Sequence, residues 1–304
     1  MPRLAALAAI VFWGISFVAT KSVLREISPV SLIFIRFALG TALLHGILLA
    51  RRERLIPPPA TWAHLALMGF IGVFVHQMMQ AWALTMTTAV KTGWLIGLIP
   101  IWSAILAAIF LHERFGAMKS AGLVFGLAGA LLVITRGDLR VLALPLPSTR
   151  GDFLILASTI NWAVYTVASR SILRRLGALE ATAGSMLLGW LMLAPFFVAK
   201  RGWLEIGHLS PGGWGALLFL GVACSGLGYF FWYGALEKVE ASQVAAFLYL
   251  EPLVTLAAAV ALLHEPVPPS TIVGGVTVLA GVALMQRAAR RKPPELAASS
   301  HGLE

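Results

Sequence analysis

A few polar side chains interrupt long apolar stretches of this sequence, and their spacing places several of them on shared helix faces. His76 and Gln80 are four residues apart, and Gln243, Phe247 and Glu251 follow one another at the same interval. Amide, imidazole and carboxylate groups among apolar residues cost free energy unless they face water, a ligand or one another. They could line a cavity that packs the apolar part of a small solute and orients its polar ends.

Aromatic residues accompany these polar groups in the neighbouring apolar stretches. The candidate aromatic lining comprises Trp94, Trp162, Tyr165 and Tyr229. Tryptophan and tyrosine also anchor helices at membrane surfaces, and Trp62, Trp203 and Trp214 are expected in that role because they lie at the ends of apolar stretches. For His76 and Gln80, the alternative to a ligand is hydrogen bonding between helices.

Three charged residues are further candidates. Arg36 lies inside an apolar stretch and could meet the carboxylate of a zwitterionic solute, or it could bond helix-end carbonyl groups. Lys91 is an alternative carboxylate contact. Glu251 could meet an ammonium group, carry a coupling proton or bond backbone donors freed beside Pro252.

The composition indicates which elements hold these groups. Of 304 residues, 59% are hydrophobic and 12% are charged, whereas a soluble domain carries about 25% charged residues. This excludes an ordinary soluble enzyme, a disordered protein and a secreted disulfide scaffold, and the single Cys224 excludes an internal disulfide. Ten stretches approach the ~20 residues that a membrane-spanning helix needs. They are 4–24, 29–50, 62–84, 90–111, 118–136, 152–173, 180–199, 214–236, 242–263 and 270–288.

The basic residues predict an orientation. With the N-terminus in the cytoplasm, 14 Lys and Arg residues fall on the cytoplasmic side and 8 on the other. Both termini are therefore expected in the cytoplasm. The net charge of +10 is then a topology signal, and no nucleic-acid partner is needed to explain it.

The two halves of the sequence repeat one another at an offset of about 150 residues. The matched pairs are Trp13 with Trp162, Pro100 with Pro252, Glu113 with Glu265, Gly122 with Gly274 and Gly129 with Gly281. Because each half holds five spans, the second half must enter the membrane from the opposite side. The sequence predicts an all-α membrane protein with two inverted five-helix repeats at 1–136 and 152–288, an inter-repeat loop at 137–151 and a disordered tail at 289–304.

Ten short spans in two repeats, Phe12-Trp13-Gly14, Arg36, and the paired Glu113 and Glu265 resemble the drug/metabolite transporter superfamily. The resemblance is to its EamA-type bacterial exporters, and more loosely to the branch that exports amino acids, aromatic ones included. It implies alternating-access export of small organic solutes from the cytoplasm. The predicted location is the bacterial inner membrane, with the substrate cavity between the repeats. No cofactor is expected, lipid surrounds the spans, and the protein is expected to be a monomer. The second repeat has Ser185 where a second Arg36 would be sought.

Other classes of protein fit the sequence less well. There is no GxSxG, HExxH or GxxxxGK[ST] motif, which disfavours an enzyme or an ATP-driven pump. The sequence also has no filter-like motif, which disfavours a channel. A nucleotide-sugar would need more basic residues within the membrane than Arg36 and Lys91, and a cationic drug would have Glu251 alone. These solutes, and other metabolites, remain the alternatives to an amino acid.

Two further features predict packing. Glu113 and Glu265 end spans four and nine, where a carboxylate can meet the N-terminal dipole of the following helix. The GxxxG spacings Gly93/Gly97 and Gly122/Gly126 predict close helix approach within the bundle.

Overall fold

The computed structural model describes residues 2–110, 116–144, 146–236 and 247–290, and within these ranges it consists of helices and turns with no strand. The helices are α1 Pro2–Val23, α2 Pro29–Ala50, α3 Trp62–Gly69, α4 His76–Leu84, α5 Ala89–Ile96, α6 Ile99–Phe110, α7 Ala117–Thr135, α8 Pro147–Leu176, α9 Ala178–Ala199, α10 Pro211–Leu218, α11 Gly228–Leu236, α12 Glu251–Leu263 and α13 Pro269–Arg290. Short 3₁₀ turns occupy Pro59–Thr61, Leu139–Ala143, Gly202–His208 and Phe247–Leu250.

Eight helical stretches are long and apolar enough to cross a membrane, and they coincide with eight of the ten predicted spans. The predicted span 152–173 falls on the longer α8, and the predicted span 242–263 overlaps the shorter apolar stretch Phe247–Leu263. The all-helical membrane class is thus confirmed, and the count of ten crossings stays a prediction.

The outer surface of the bundle is apolar. Large side chains such as Val124 and Leu262 are more than half exposed, as expected where lipid replaces water. Trp62 and Trp203 are about half exposed and Trp214 somewhat less, in keeping with their predicted place at the membrane surface.

Two of the long spans contain a wide helical turn at their centre. The π-helical segment Phe70–Val75 joins α3 to α4, and the π-helical segment Phe219–Leu227 joins α10 to α11. A π turn displaces the side chains that follow it and opens the ladder of backbone hydrogen bonds. Neighbouring helices use the carbonyl groups there: Asn161 Nδ2 donates to Ile71 O at 2.9 Å, and Trp13 Nε1 donates to Cys224 O at 3.1 Å.

Two other spans are interrupted beside a proline. The α5 helix ends at Ile96, and α6 begins at Ile99, directly before Pro100. The 3₁₀ turn Phe247–Leu250 gives way to α12 just before Pro252. Proline has no N–H to donate and is favoured in the first turn of a helix, which explains why each helix restarts there. The backbone polar groups at both interruptions border the interior of the bundle.

Glycines allow α7 and α13 to pack in close contact. A Cβ built on Gly122 would lie 2.7 Å from Gly281 O, and one built on Gly129 would lie 2.5 Å from Gly274 O. The two helices therefore run antiparallel with their backbones touching. A Cβ on Gly93 would likewise meet Thr255, at 2.7 Å. The prediction that the GxxxG glycines pack within the bundle is confirmed.

One face of the bundle is held closed by polar contacts. We call it the Lys21 face, since α1 ends there, and the face where α1 begins the Pro2 face. Glu265 accepts hydrogen bonds from the backbone N–H groups of Ala89 and Val90, both at 3.0 Å, and lies 3.4 Å from Lys21 Nζ. The carboxylate thus caps α5 instead of the following helix α13, which corrects the expected partner. Glu113 lies outside the described residues.

A second set of contacts closes the same face. Glu26, just after α1, accepts hydrogen bonds from the backbone N–H of Ser210 at 2.7 Å and from its hydroxyl at 2.8 Å. Glu205 accepts one from the backbone N–H of Ser28 at 2.6 Å. Loops that lie nearly 180 residues apart in sequence are therefore tied together on the Lys21 face.

Candidate functional site

The central cavity lies among the two π-containing spans, the two proline interruptions, and α1, α2, α8 and α13, and it holds about 870 Å³ not filled by protein atoms. Its polar and aromatic lining consists of Trp13, Ser16, Phe17, Arg36, His76, Gln77, Gln80, Trp162, Tyr229, Tyr249, Glu251 and Gln286. Its mixture of rings with a few polar groups is typical of a small-molecule site.

Arg36 brings a buried positive charge to this cavity. Its side chain on α2 is nearly inaccessible, and Nε donates to Ser225 Oγ at 2.8 Å while Nη1 donates to Gln77 Oε1 at 3.3 Å. Both partners are neutral, and in the described part of the chain no carboxylate forms an ion pair with the guanidinium. A buried, uncompensated guanidinium favours an anionic ligand.

Glu251 brings a buried negative charge to the same cavity. It is the first residue of α12 and is 8% exposed. Thr255 donates to its backbone carbonyl at 2.9 Å, but none of the described residues donates a hydrogen bond to its carboxylate. The expected bonding to backbone donors beside Pro252 is therefore not seen in these ranges. The carboxylate can therefore bind a ligand that enters the cavity.

An aromatic stack forms one wall. The rings of His76 and Trp162 lie 4.7 Å apart, and Trp162 and Tyr165 stack at 4.9 Å. His76 Nδ1 lies 3.1 Å from Ser158 O. Because a carbonyl only accepts, Nδ1 carries the hydrogen, and Nε2 is the acceptor of the neutral ring. Gln80 lies one turn beyond His76 in the same lining, so the predicted pairing of these two residues on one face is confirmed.

Trp13 and Tyr229 form a second aromatic wall. Their rings meet edge to face at 5.5 Å, and Trp13 also lies 5.3 Å from Trp232. Trp13 was not among the predicted site residues, although its match to Trp162 in the repeat could have identified it. Ser225 and Gln77, which hold Arg36, were missed too. No sequence signal singles out Ser225, because it lies 189 residues from Arg36.

The structure places four predicted site residues away from this lining. Lys91 is held by Asp152, with Nζ at 2.6 Å from Oδ2, so its ammonium group is already paired. Trp94 is buried against Gly275, and Tyr165 lies behind Trp162 with its hydroxyl facing Ser185. Phe247 packs with Ala6 and Ala235 instead. Gln243 lies outside the described residues.

A second cavity opens beside the first at the Pro2 face. It holds about 890 Å³ and is lined by Pro2, Ala5, Leu44, Arg51, Leu179, Thr182, Tyr229, Phe230, Phe231, Tyr233 and Gly234. Tyr229 borders both cavities. The central cavity itself extends toward the Pro2 face as far as Gln286, about 25 Å along α13 from its start at the Lys21 face.

The fold defines a multi-pass helical membrane protein with a central cavity lined by aromatic rings and a few polar groups. The profile of the EamA-like transporter family matches residues 2–135 and 149–287. The chain therefore belongs to the EamA-like transporter family, within the drug/metabolite transporter superfamily.

Similar proteins agree with this assignment. An uncharacterised transporter of Archaeoglobus fulgidus is 31% identical over 272 residues, covering 90% of this chain and 92% of its own length. A probable terminal-alkyne amino-acid exporter of Streptantibioticus cattleyicolor is 28% identical over 282 residues, 91% of each chain. One crystal structure superposes with a TM-score of 0.67 at 21% identity, covering 95% of this chain and 98% of the other, and supports the fold alone.

Proposed function

We propose that this protein is a secondary transporter that exports small amphipathic metabolites, namely amino acids including aromatic ones, across the bacterial inner membrane. The observation that carries this proposal is the presence of Arg36 and Glu251 in one aromatic cavity. Neither has a partner of opposite charge among the described residues. A zwitterion supplies both missing charges.

The chemistry of recognition follows from the lining. The cargo carboxylate would accept hydrogen bonds from Arg36, whose planar guanidinium suits two parallel bonds. The ammonium group would donate to Glu251, and His76 Nε2 offers a further acceptor. The side chain of the cargo would pack against Trp13, Trp162 and Tyr229. A cationic drug has no anionic group to pair with Arg36. The phosphate groups of a nucleotide-sugar would need a second arginine, and the described lining of the central cavity offers Arg36 alone.

The proposed transporter consists of two inverted repeats, 1–136 and 152–288, joined by the segment 137–151. This segment is not a plain loop as predicted, because it holds the 3₁₀ turn Leu139–Ala143 and the first residues of α8. Four features support the repeats. The family profile matches each half. The π segments and the proline interruptions both recur at offsets of about 150 residues. Finally, the repeat-related glycines meet reciprocally, Gly122 with Gly281 and Gly129 with Gly274. Such reciprocity is expected of two helices on either side of a two-fold axis in the membrane plane.

Alternating access is supported by the difference between the two faces. The Lys21 face is tied by Glu265 and Glu26, whereas both cavities extend toward the Pro2 face. With both termini in the cytoplasm, as the basic residues predict, this conformation is the one that loads cargo from inside the cell. A face closed by contacts between distant segments also favours a transporter over a channel.

Two hypotheses describe what drives the transport. Glu251 and His76 are the titratable groups of the central cavity besides Arg36 and Tyr residues, and proton antiport through either is one hypothesis. Facilitated diffusion of the cargo is the other. The two differ in a single observable, because antiport alone lets a pH gradient drive cargo against its own gradient.

The test is transport by the purified protein, reconstituted as a monomer in liposomes. Labelled phenylalanine should exchange faster than in protein-free liposomes, and Arg36→Gln should abolish the difference. A panel of other amino acids, a quaternary-ammonium drug and a nucleotide-sugar would compete for the same site to define the cargo class. If no amino acid moves faster than in protein-free liposomes, the proposed cargo is wrong. Repeating the assay with an imposed pH gradient separates the two coupling hypotheses.

A further inference from the structure

We infer that the cavity at the Pro2 face is a second binding site for the cargo, occupied before the central cavity. We call it the entry cavity, with the lining given above. The inference rests on the proposed function, since it assumes an amphipathic carboxylate as cargo. It adds a site that the central cavity does not require.

Arg51 supplies the polar anchor of the entry cavity. Its guanidinium lies 4.9 Å from the centre of the Phe230 ring, a cation–π distance. Its ion pair with Glu53 is long, 3.7 Å, and both side chains are about half exposed. Exposed pairs of this kind contribute little, so Arg51 is available to an incoming carboxylate.

The same recognition chemistry occurs twice along one helix. Arg36 and Arg51 are 15 residues apart on α2 and at its C-terminal end, about 22 Å along the axis. Each arginine borders a cavity with aromatic walls, in which a carboxylate and an apolar side chain can both be accommodated. A solute that satisfies one site can therefore satisfy the other.

Tyr229 separates the two sites. Its ring borders both cavities, and it lies between Trp13 at 5.5 Å and Tyr233 at 6.3 Å. Cargo that moves from one cavity to the other would therefore pass this residue. Because Tyr229 lines both cavities, the entry cavity adjoins the central cavity. This favours cargo in transit as the occupant, since a bound lipid headgroup would need no route inward.

The location suits loading. Pro2, Arg51 and Gly234 lie at helix ends on the Pro2 face, which the charge distribution places in the cytoplasm. Cargo would first bind Arg51 against Phe230, pass Tyr229 and then exchange its carboxylate contact to Arg36.

Equilibrium dialysis of labelled phenylalanine against the full-length protein in detergent tests this inference. We expect two molecules bound per chain. Arg51→Gln should reduce the number to one, and that remaining binding should be lost when Arg36→Gln is added. The matched control is Arg52→Gln, which changes a neighbouring exposed arginine outside the lining and should leave two.

The other outcomes are distinguishable. One bound molecule that is insensitive to Arg51→Gln would overturn the entry site and leave the proposed function intact. Absence of phenylalanine binding would instead contradict the proposed function. If Arg51→Gln lowers the amount of co-purified anionic lipid while phenylalanine binding stays unchanged, the cavity is a lipid site and the inference fails.

Discussion

The ammonium group of Lys91 lies 2.6 Å from a carboxylate oxygen of Asp152, and both side chains are almost completely buried between α5 and α8. Lys91 also donates to Ile134 O at 3.1 Å, and the hydroxyl of Thr87 donates to the other oxygen of Asp152. Both charges are therefore satisfied within the protein. This pairing makes Lys91 a structural residue in place of a cargo contact.

Breaking this buried pair should destabilise the fold. Asp152→Asn leaves the ammonium group of Lys91 buried without a counter-charge, and we expect a loss of about 3–5 kcal/mol in unfolding free energy. The double variant Lys91→Met with Asp152→Leu removes both charges and should recover most of that loss. Denaturant unfolding in detergent compares both variants with the unmodified protein. A double variant that is no more stable than Asp152→Asn would contradict the argument that the loss comes from an unpaired buried charge.

The helices and part of the site could be predicted from the sequence. Apolar length alone locates the spans, and the four-residue spacing correctly places His76 and Gln80 on one face of the cavity. The repeat offset pairs Pro100 with Pro252, and both turn out to interrupt their spans. These features depend on residues that are close together in the chain, and they can therefore be recognised from the sequence.

The rest depends on contacts between distant segments. Lys91 and Asp152 are 61 residues apart, and nothing local to either indicates that they pair. Ser225, which accepts a hydrogen bond from Arg36, lies in the π segment Phe219–Leu227, and a π turn has no distinctive sequence. Trp94 is typical of a cavity lining by residue type, yet the glycine at 275 gives its ring a packing site instead.

The KM for phenylalanine should depend on the geometry of the positive charge at position 36 as well as on its sign. Arg36→Lys keeps the charge but loses the planar fork, so we expect KM for phenylalanine to rise at least tenfold with the protein still folded. Ser225→Ala removes one hydrogen bond, worth about 1 kcal/mol, and should raise KM about fivefold. Ser169→Ala is the control, because that hydroxyl donates to Thr166 O in its own helix, away from Arg36. Equal KM values in all variants would show that Arg36 does not bind the cargo.

Glu251 should distinguish zwitterions from simple acids. Glu251→Gln removes the charge that faces the cargo ammonium, and a hydrogen bond between charged groups contributes about 1.5–3 kcal/mol. Phenylalanine affinity should therefore fall roughly 10- to 100-fold, whereas 3-phenylpropionate, which has no amino group, should bind as before. Competition binding with both compounds measures the difference. A parallel loss for both compounds would argue for a structural or coupling role of Glu251.

The close packing of α7 and α13 should make Gly129 intolerant of a methyl group. A Cβ there would lie 2.5 Å from Gly274 O, and overpacking typically costs 1–3 kcal/mol. Gly129→Ala should accordingly lower the thermal unfolding temperature. Gly46→Ala on α2 is matched, because a Cβ there meets nothing within 4 Å and alanine favours the helix. It should leave the unfolding temperature unchanged or raise it, and a similar fall in both variants would refute the packing argument.

Opening of the Lys21 face should depend on Glu265, which joins Lys21 to the start of α5. In Glu265→Gln the ion pair is lost and the backbone hydrogen bonds weaken, and a loss of about 1.5–3 kcal/mol shifts the closed state 10- to 100-fold toward opening. A cysteine placed at Ser16 in the central cavity, with Cys224 replaced by alanine, reports this through its labelling by a membrane-impermeant thiol reagent added to whole cells. Labelling should be faster in Glu265→Gln and unchanged in Glu53→Gln, whose ion pair is exposed on the Pro2 face. Equal rates in both would mean that Glu265 does not hold this face closed.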